Sequence, residues 1–471
     1  MTCWRPFPVV VALLSGCALA QAGEPLPDAE GGAASLASQS WKPCGPPAAM
    51  GSDPGGFVRG ERVLFFTADD GTHGREPWVS TGTGGRGTSL LKDLYPGPTG
   101  SEPSEPTPVG DKVFFTADDG VNGRELWVSD GTASGTRLVK DIWPGADGSY
   151  PQSLVEAGGL LYFSAGDPEH GRELWRSDGT PEGTFLVEDL DPGPEGMSPY
   201  GLTRGGDGSL YFLGNLRGYY LTLMRSDGKH AAVELFRVPA EGGVLEWLTP
   251  VGNRLFFITG DVHETMADLM VTSGGAPVRI GSFEEVHERV AMGGRLFFSA
   301  FTMEDPAGEE LWRSDGTAQG TLRVKDLQPG AGGSAPAGLV VLGRRLFFSA
   351  DDGVHGRELW SSDGTASGTS LFADLVPGAE GSSPEALTAI QGHLFFSAWT
   401  AARGREPWLS NGTLRGTVPL DELVPGEGSS DPRGFIRSGW DVFFSADDGV
   451  HGRRLWALPF RPANRCDARP R

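Results

Sequence analysis

Pairs of adjacent aromatic residues recur along the chain about every 48 residues, each set between short polar turns. Neighbouring side chains of a strand point to opposite faces of its sheet, yet both members of a pair are large and apolar. A strand that is apolar on both faces is covered on both faces, so the pattern predicts sheets stacked face to face. The nine pairs are Phe65-Phe66, Phe114-Phe115, Tyr162-Phe163, Tyr211-Phe212, Phe256-Phe257, Phe297-Phe298, Phe347-Phe348, Phe395-Phe396 and Phe443-Phe444.

A tryptophan marks a second fixed position in most of these units. Consecutive tryptophans are 48 or 49 residues apart in the regular parts of the chain. The interval between Trp175 and Trp312 leaves room for two further units, which carry Met224 and Met270 at the tryptophan position. The sequence therefore predicts nine units, of which the fourth and fifth are eroded. The tryptophans are Trp78, Trp127, Trp175, Trp312, Trp360, Trp408 and Trp456.

Each unit contains four short segments with strand-forming composition. A first strand such as Ser153–Ala157 precedes the aromatic strand, here Leu160–Ser164, and a Glu-Leu-Trp strand follows. The last strand is typified by Arg137–Ile142, which a Pro-Gly turn ends. The 72 glycines and 36 prolines fit many tight turns, and Asp-Gly pairs suit turns with positive φ. No segment keeps a helical period.

These features predict an all-β protein: a β-propeller of nine four-stranded units within residues 51–460, in which each sheet lies between two others. Nine blades exceed the four to eight that are typical, and eight would result if the two eroded units merged into one. An open solenoid is the other alternative, because stacked repeats need not close into a ring.

Four units share the sequence Glu-Leu-Trp-x-Ser-Asp-Gly-Thr, and Glu76-Pro-Trp and Glu406-Pro-Trp are near matches. The unit resembles the ELWxxDGT repeat of bacterial exported proteins, which are sometimes described as hyalin-like. The resemblance covers about residues 57–458 and implies export but little about activity. The units between about Leu216 and Ser282 depart from it. The full matches are Glu125–Thr132, Glu173–Thr180, Glu310–Thr317 and Glu358–Thr365.

The first twenty residues have the pattern of a signal peptide, with Arg5 followed by the apolar run Val9–Leu14. This run is too short to span a bilayer. Leu14-Ser-Gly-Cys17 resembles a bacterial lipobox, which predicts lipid attachment at Cys17. Cleavage after Ala20, releasing a soluble protein, is the alternative. Residues 21–50 read as a flexible tether and residues 461–471 as a C-terminal tail.

Two cysteines remain outside the leader, one near each end of the repeat array: Cys44 and Cys466. Export implies an oxidising compartment, in which such a pair can form a disulfide. The last unit lacks a clear fourth strand after Leu458. We expect residues near Leu36 to supply it, which would bring both termini into one blade and the two cysteines together.

The formal net charge of −22 argues against nucleic-acid binding, because the chain would repel phosphate backbones. The acidic Asp-Asp-Gly and Ser-Asp-Gly-Thr turns could bind Ca²⁺, since clustered carboxylates suit hard cations. They lack the alternating aspartate spacing of a calcium loop, and a side chain that recurs in every unit is more often a turn device.

An arginine and a glutamate precede the tryptophan in several units. The glutamate lies two residues before the tryptophan and shares its face, while the arginine points the opposite way. A buried glutamate needs a partner, so we expect an ion pair with an arginine or lysine of the type of Lys140. The pairs are Arg75-Glu76, Arg124-Glu125, Arg172-Glu173, Arg357-Glu358 and Arg405-Glu406.

The eroded region holds polar residues that break the repeat and could form a metal or active site. The two-histidine zinc-protease motif is incomplete, because Ala267 stands where its second histidine would lie, and no phosphate-binding loop or nucleophile elbow occurs. The sequence thus assigns no catalytic residue, cofactor-binding residue or metal ligand. The residues in question are His263, Glu264, Asp268, Glu284, Glu285 and His287.

Three functions remain open at this point. The first is a non-enzymatic binding or scaffold lipoprotein of the cell envelope, which presents propeller loops to protein or glycan partners and touches the membrane only through its lipid anchor. The second is a carbohydrate-active propeller enzyme with its site in the central channel. The third is a structural component of the surface or matrix. An outer-membrane or surface location is expected, with secretion as the second choice.

Overall fold

The computed structural model describes residues 42–43, 51–60, 63–82, 87–261, 263, 266–302, 305–330 and 332–460. Within these residues the chain forms nine four-stranded antiparallel sheets and no helix. The sheets are the blades of a β-propeller, numbered here from 1 to 9 along the chain. The predicted nine blades are confirmed, because the two eroded units form separate sheets rather than one.

The innermost strands of neighbouring blades lie side by side, and those of blades 5 and 6 meet where Arg289 Nε donates to the Thr249 hydroxyl, so these strands surround the central channel. They are Gly55–Arg59, Ser104–Val109, Gln152–Ala157, Tyr200–Arg204, Gly243–Val251, Glu285–Met292, Ala337–Leu342, Glu385–Ile390 and Arg433–Ser438. Each contains a register shift where one residue bulges from the ladder. The bulge positions of blades 1, 4, 7 and 9 are glycines with positive φ: Gly56, Gly201, Gly338 and Gly434.

The second strand of each blade carries the aromatic pair. These strands are Leu64–Asp69, Lys112–Asp118, Leu160–Asp167, Leu210–Leu216, Arg254–Asp261, Arg295–Thr302, Arg345–Asp351, His393–Thr400 and Asp441–Asp447. The third strands carry the tryptophan or its methionine replacement. They are Arg75–Ser80, Arg124–Ser129, Gly171–Ser177, Tyr220–Ser226, Ala267–Thr272, Asp305–Ser314, Arg357–Ser362, Gly404–Ser410 and Arg453–Pro459.

The outer strands are short except in blades 4 and 5. Eight of them follow their own blade in sequence: Thr88–Leu90, Arg137–Lys140, Phe185–Glu188, Val233–Pro239, Val278–Phe283, Leu322–Arg323, Ser370–Ala373 and Thr417–Pro419. The ninth, Lys42–Pro43, comes from the N-terminal end of the chain and pairs with the third strand of blade 9. The last blade therefore contains both ends of the chain, as predicted, although the strand lies at residues 42–43 rather than near Leu36.

The core lies between neighbouring blades, as the two-sided apolar strands predict. The first aromatic residue of one blade packs against the second aromatic residue of the next, and the rings of Phe65 and Phe115 have centroids 5.2 Å apart. Both side chains are fully buried. Burying one such side chain contributes about 1.5–3 kcal/mol, so the repeated contact stabilises every junction between blades.

The ring is closed by the same contact. Phe443 of blade 9 packs with Phe66 and Trp78 of blade 1, and the innermost strands of these two blades are adjacent. The open solenoid is therefore wrong. Among the described residues no helix is long and apolar enough to cross a membrane.

One face of the ring carries the turns between second and third strands and the loops that join successive blades, and we call it the loop face. Backbone bonds connect these two sets, for example from the Asp118 N–H to the Ser101 carbonyl, 3.0 Å. The loops are thereby fixed to the blades rather than projecting freely.

Candidate functional site

The buried glutamate before each tryptophan fixes a loop of the loop face. One oxygen of Glu125 accepts hydrogen bonds from the Trp143 N–H at 3.0 Å and the Ser149 N–H at 2.9 Å. The Ser149 hydroxyl bonds to the other oxygen at 2.5 Å. The expected ion pair is therefore wrong: Lys140 instead donates to the Thr184 carbonyl of the next blade. Other fully buried glutamates at this position are Glu76, Glu173, Glu310, Glu358 and Glu406.

Burial is the main cause of the raised pKa values of these carboxyl groups. Removal from water raises the pKa of both Glu125 and Glu173 to about 7, and the hydrogen bonds to each group offset part of the rise. The pKa values of the other four glutamates are also raised by burial. Since every one of them bonds to a loop, these shifted groups act as loop anchors rather than as an active site.

Blade 3 lacks one of the anchoring bonds. Met197 stands where the other glutamate-bearing blades have the serine, so the second oxygen of Glu173 has no hydrogen-bond partner. The equivalent serines are Ser101, Ser149, Ser334, Ser382 and Ser430.

The aspartates of the repeated turns bond within their own turns. One oxygen of Asp119 accepts from the Val121 and Asn122 N–H groups, and one oxygen of Asp130 accepts from the Thr132 N–H and hydroxyl. This is the turn role that their recurrence predicts. No group of three or more metal-ligating side chains is found in the part of the chain that the structure describes. Calcium binding by these turns stays a prediction.

An arginine at the start of the third strand ties most blades to the loop residue that comes two positions before their innermost strand. Arg124 donates to the Glu102 carbonyl at 2.9 Å and to the Thr116 hydroxyl at 3.0 Å. The same arginine occurs in six consecutive blades around the ring, from blade 7 through blade 9 to blade 3. The other five are Arg75, Arg172, Arg357, Arg405 and Arg453.

Blades 4, 5 and 6 lack this arginine and have Leu221, Ala267 and Glu309 in its place. In blade 6 the replacement reverses the charge. Glu309 accepts a 2.7 Å bond from the Ser299 hydroxyl, and one of its oxygens lies 2.9 Å from His287 Nδ1.

His287 also approaches a second carboxylate, since its Nε2 lies 3.4 Å from Glu285. Its side chain is 48% exposed, so this histidine between two carboxylates remains open to solvent. The innermost strand of blade 6 holds both His287 and Glu285, and this strand lies on the channel wall.

The junction of blades 5 and 6 is unusual as well. Trp247 occupies the bulge position that is glycine in four other blades, with φ of 67°, a conformation that strains a bulky residue. The guanidinium of Arg289 lies 4.7 Å from the centre of the Trp247 ring, and Arg289 Nε donates to the Thr249 hydroxyl at 2.7 Å. Burial lowers the pKa of Arg289.

At the position of Arg289 the neighbouring blades carry apolar residues. Blades 3, 4, 5, 7 and 8 have leucine there: Leu154, Leu202, Leu248, Leu339 and Leu387. This junction therefore departs from the repeat at two positions: Trp247 replaces a glycine, and Arg289 replaces a leucine. We call Trp247, Glu285, His287, Arg289 and Glu309 together the seam site.

Of the five singled-out residues that the structure describes, it brings two together, Glu285 and His287. Asp268 accepts from the Ser282 hydroxyl and lies 3.6 Å from Arg279, in the outer half of blade 5. The His263 N–H donates to a turn aspartate.

Glu284 lies in the link between blades 5 and 6, where its N–H donates to the Phe301 carbonyl. Glu264 lies outside the described residues, as do Cys17, Cys44 and Cys466. The lipid attachment at Cys17 and the Cys44–Cys466 disulfide therefore stay predictions.

Sequence reasoning missed Trp247, Arg289 and Glu309. Glu309 was hidden because Glu-Glu-Leu-Trp looks like a regular unit, although its first glutamate replaces the arginine of Arg-Glu-Leu-Trp. Trp247 and Arg289 stand out only when the innermost strands of the units are aligned with one another, and the sequence alone does not show where their bulges lie. Position-by-position comparison of repeats is the signal that could have found all three.

No family model matches the chain, and no curated protein matches it. Solved structures with some likeness include peptidases and a β-propeller domain of a protease. A prolyl endopeptidase shares 16% identity at a TM-score of 0.41, over 72% of this chain and 52% of that one. The acylaminoacyl peptidase of Pyrococcus horikoshii shares 13% identity at a TM-score of 0.40, over 84% of this chain and 57% of that one. The β-propeller domain of the trilobed protease from Pyrococcus furiosus shares 14% identity at a TM-score of 0.37, over 69% of this chain and 99% of that one.

This chain thus spans a little over half the length of the two complete peptidases. No activity follows from likenesses this low. What the fold and the site define together is a nine-bladed β-propeller with an asymmetric polar and aromatic group on its channel wall.

Proposed function

We propose that the protein is a non-enzymatic binding protein of the cell envelope, anchored by a lipid on Cys17, whose seam site contacts a protein or glycan partner. One observation carries this proposal: repeat positions that hold glycine, leucine and arginine in other blades hold Trp247, Arg289 and Glu309 here. The other blades fold without these residues, so the architecture does not require them. The resemblance to ELWxxDGT repeat proteins supports an exported location.

The seam site has the chemistry of a recognition surface. Tryptophan and arginine are enriched among the residues that dominate binding energy at interfaces. Here Arg289 covers one face of the Trp247 ring, which orders both side chains before a partner arrives. His287, which lies on the same innermost strand as Arg289, adds polar groups of both kinds together with its two flanking carboxylates. Backbone strain at Trp247 is of the kind that clusters at ligand-binding sites.

Variants that restore the repeat test the proposal without introducing foreign residues. Trp247→Gly with Arg289→Leu gives the seam the residues that other blades have. The matched control is Ala386→Gly, which changes the equivalent bulge of blade 8, where φ is 55°. Unfolding in urea would show that each variant is folded.

Binding is measured by co-sedimentation with outer-membrane vesicles and peptidoglycan sacculi, and by retention of solubilised envelope proteins of the producing bacterium. The proposal expects saturable binding of the wild type to one fraction, a loss of about tenfold or more for the double variant, and no loss for the control. Equal binding of all three proteins, or no binding to any fraction, would contradict it.

One observation favours the second candidate, a carbohydrate-active enzyme. Two carboxylates, Glu285 and Glu309, flank one histidine on the channel wall, and pairs of carboxylates perform glycoside hydrolysis. Release of reducing sugar from envelope polysaccharide by the wild type, abolished by Glu309→Gln, would establish this alternative. The absence of release alongside intact binding would reject it.

A further inference from the structure

A cleft of about 420 Å³ opens on the loop face, far along the ring from the seam site. It lies between the loop that joins blades 2 and 3 and the loop that joins blades 3 and 4. Its lining includes Trp143, Asp147, Tyr150, Gly166, Arg172 and Glu195, and none of these belongs to the seam site. The volume lies within the range of small-molecule binding clefts.

Tyr150 gives the cleft an exposed ring that the fold does not require. The backbone carbonyl of Tyr150 accepts the usual bond from the arginine of its blade, Arg172, at 2.8 Å, so the backbone matches the repeat. Only the side chain departs, and it is 51% exposed at a φ of 48°. The equivalent residues of other blades are small or acidic: Asp53, Glu102, Ser198, Ala335, Ser383 and Asp431.

Trp143 supplies a second, half-buried ring from the same loop. Only the loop before it has an aromatic residue at this position, and that residue, Tyr95, packs over Gly120. The equivalent residues in later loops are Asp191, Gln328, Val376 and Val424.

Gly166 clears the space next to Trp143. A Cβ atom at Gly166 would lie 3.5 Å from the indole ring, and a longer side chain would extend into the cleft. In the other five blades that carry the arginine the equivalent residues are larger: Asp69, Asp118, Asp351, Trp399 and Asp447, whereas blade 5, which lacks the arginine, has Gly260 there. Three departures from the repeat, two aromatic side chains and one glycine, thus meet in a single cleft.

The polar groups of the cleft include both donors and acceptors. Asp147 and Glu195 are exposed and offer carboxylate oxygens. Arg172 Nη1 donates to Tyr150 and Ser164, and its Nη2 donates once, to the Ser149 carbonyl. A guanidinium has five N–H donors, so the Nε hydrogen and one Nη2 hydrogen are left for a ligand.

These features favour a neutral polyol over a charged ligand. An anion would meet two carboxylates, and a cation would meet the guanidinium of Arg172. A sugar hydroxyl both donates and accepts, so it can bond to either charge, and the apolar face of a sugar ring can stack on an aromatic ring. We propose that the cleft binds a neutral saccharide unit, such as the end of a glycan chain.

This inference goes beyond the seam site and does not depend on it. The probe is a panel of neutral mono- and disaccharides, titrated into the purified mature protein by calorimetry and by tryptophan fluorescence. At least one sugar is expected to bind saturably in the millimolar range or tighter. Tyr150→Ser and Trp143→Val place residues of other repeats in the cleft and should each weaken binding about tenfold.

Tyr95→Val is the matched control, because it removes an aromatic residue at the same loop position outside the cleft. It should leave sugar affinity unchanged. The Trp247→Gly, Arg289→Leu variant should also keep sugar binding, which separates a failure of this inference from a failure of the seam site. Urea unfolding of the two cleft variants would show whether they fold.

Three results would overturn the inference. No sugar of the panel binds; a sugar binds but the cleft variants bind it as well as the wild type does; or the cleft instead takes a lysine-containing peptide with an affinity that falls steeply with salt. The last result would identify a cationic protein segment as the ligand.

Discussion

Replacement of Glu125 tests whether the buried glutamates anchor loops as neutral hydrogen-bonding groups. At pH 5 most of this carboxyl is protonated, because burial raises its pKa to about 7. One oxygen then accepts from the Trp143 and Ser149 N–H groups, while the protonated oxygen can donate to the Ser149 hydroxyl. A glutamine at this position can form these three bonds.

The raised pKa of Glu125 determines whether the stability of the folded protein rises or falls with pH. The folded-state pKa of about 7 exceeds the ordinary 4.5, so between these values the folded state binds more protons than the unfolded state. The contribution of Glu125 to stability is therefore full below about pH 4.5 and is lost as the pH rises through 7. From pH 5 to pH 8 it amounts to about 2–3 kcal/mol.

Three proteins compared by urea unfolding at pH 5 and pH 8 give distinct expectations. Glu125→Ala leaves two N–H groups without an acceptor and should lose about 2–6 kcal/mol at pH 5. Glu125→Gln should match the wild type at pH 5 and exceed its stability by about 2–3 kcal/mol at pH 8. Glu380→Gln, at an exposed loop position, should change nothing. If Glu125→Gln is as unstable as Glu125→Ala at both pH values, the glutamate acts through its charge and the anchoring account is refuted.

Other changes give further predictions. Met197→Ser should supply the missing hydrogen-bond partner of Glu173, so the pKa of Glu173 should fall below about 7 and the free energy of unfolding in urea should depend less on pH. Loss of the buried methionine should cost about 2 kcal/mol or more. An unchanged pH dependence would contradict the role given to this serine. A non-reducing peptide map should show Cys44 linked to Cys466, and reduction should lower stability by about 2–5 kcal/mol; two alkylated free thiols would exclude the bridge. Cys17→Ser should abolish labelling by radioactive palmitate and move the protein from the membrane to the soluble fraction, whereas an unlabelled wild-type protein already in the soluble fraction would favour simple secretion.

The architecture could be predicted because each blade repeats the same local signals. The pair Phe114-Phe115 indicates a strand covered on both faces, and Asp-Gly turns mark where it ends. The closing strand was predicted only approximately, since the two residues Lys42–Pro43 have no hydrophobic pattern and depend on pairing with a strand more than 400 residues later.

The role of the buried glutamates could not be predicted in the same way. A side chain such as Lys140 is visible as a partner in the sequence, but the actual partners of Glu125 are mostly backbone N–H groups 18 and 24 residues later. Every residue except proline has such a group, so it leaves no compositional trace. Only the recurring serine, Ser149 in this blade, was a visible signal.

The candidate sites could be predicted in part. The search of the eroded units led to His287 and Glu285 only because these two polar residues follow them closely, and the structure places both in the innermost strand of blade 6 rather than in an eroded unit. Trp143 and Tyr150 lie in a regular unit. The cleft that they line is completed by a second loop and by Gly166 of a separate strand. Such a cleft emerges only once the blades are placed around the ring.

An electron cryo-microscopy reconstruction without imposed symmetry is the most direct test of the central claim, that nine similar sheets close into one ring. The account predicts nine four-stranded blades around the channel, with residues 42–43 in the last one and the rings of Phe443 and Phe66 in the junction that closes it. Eight blades, or a gap between the last blade and the first, would contradict it.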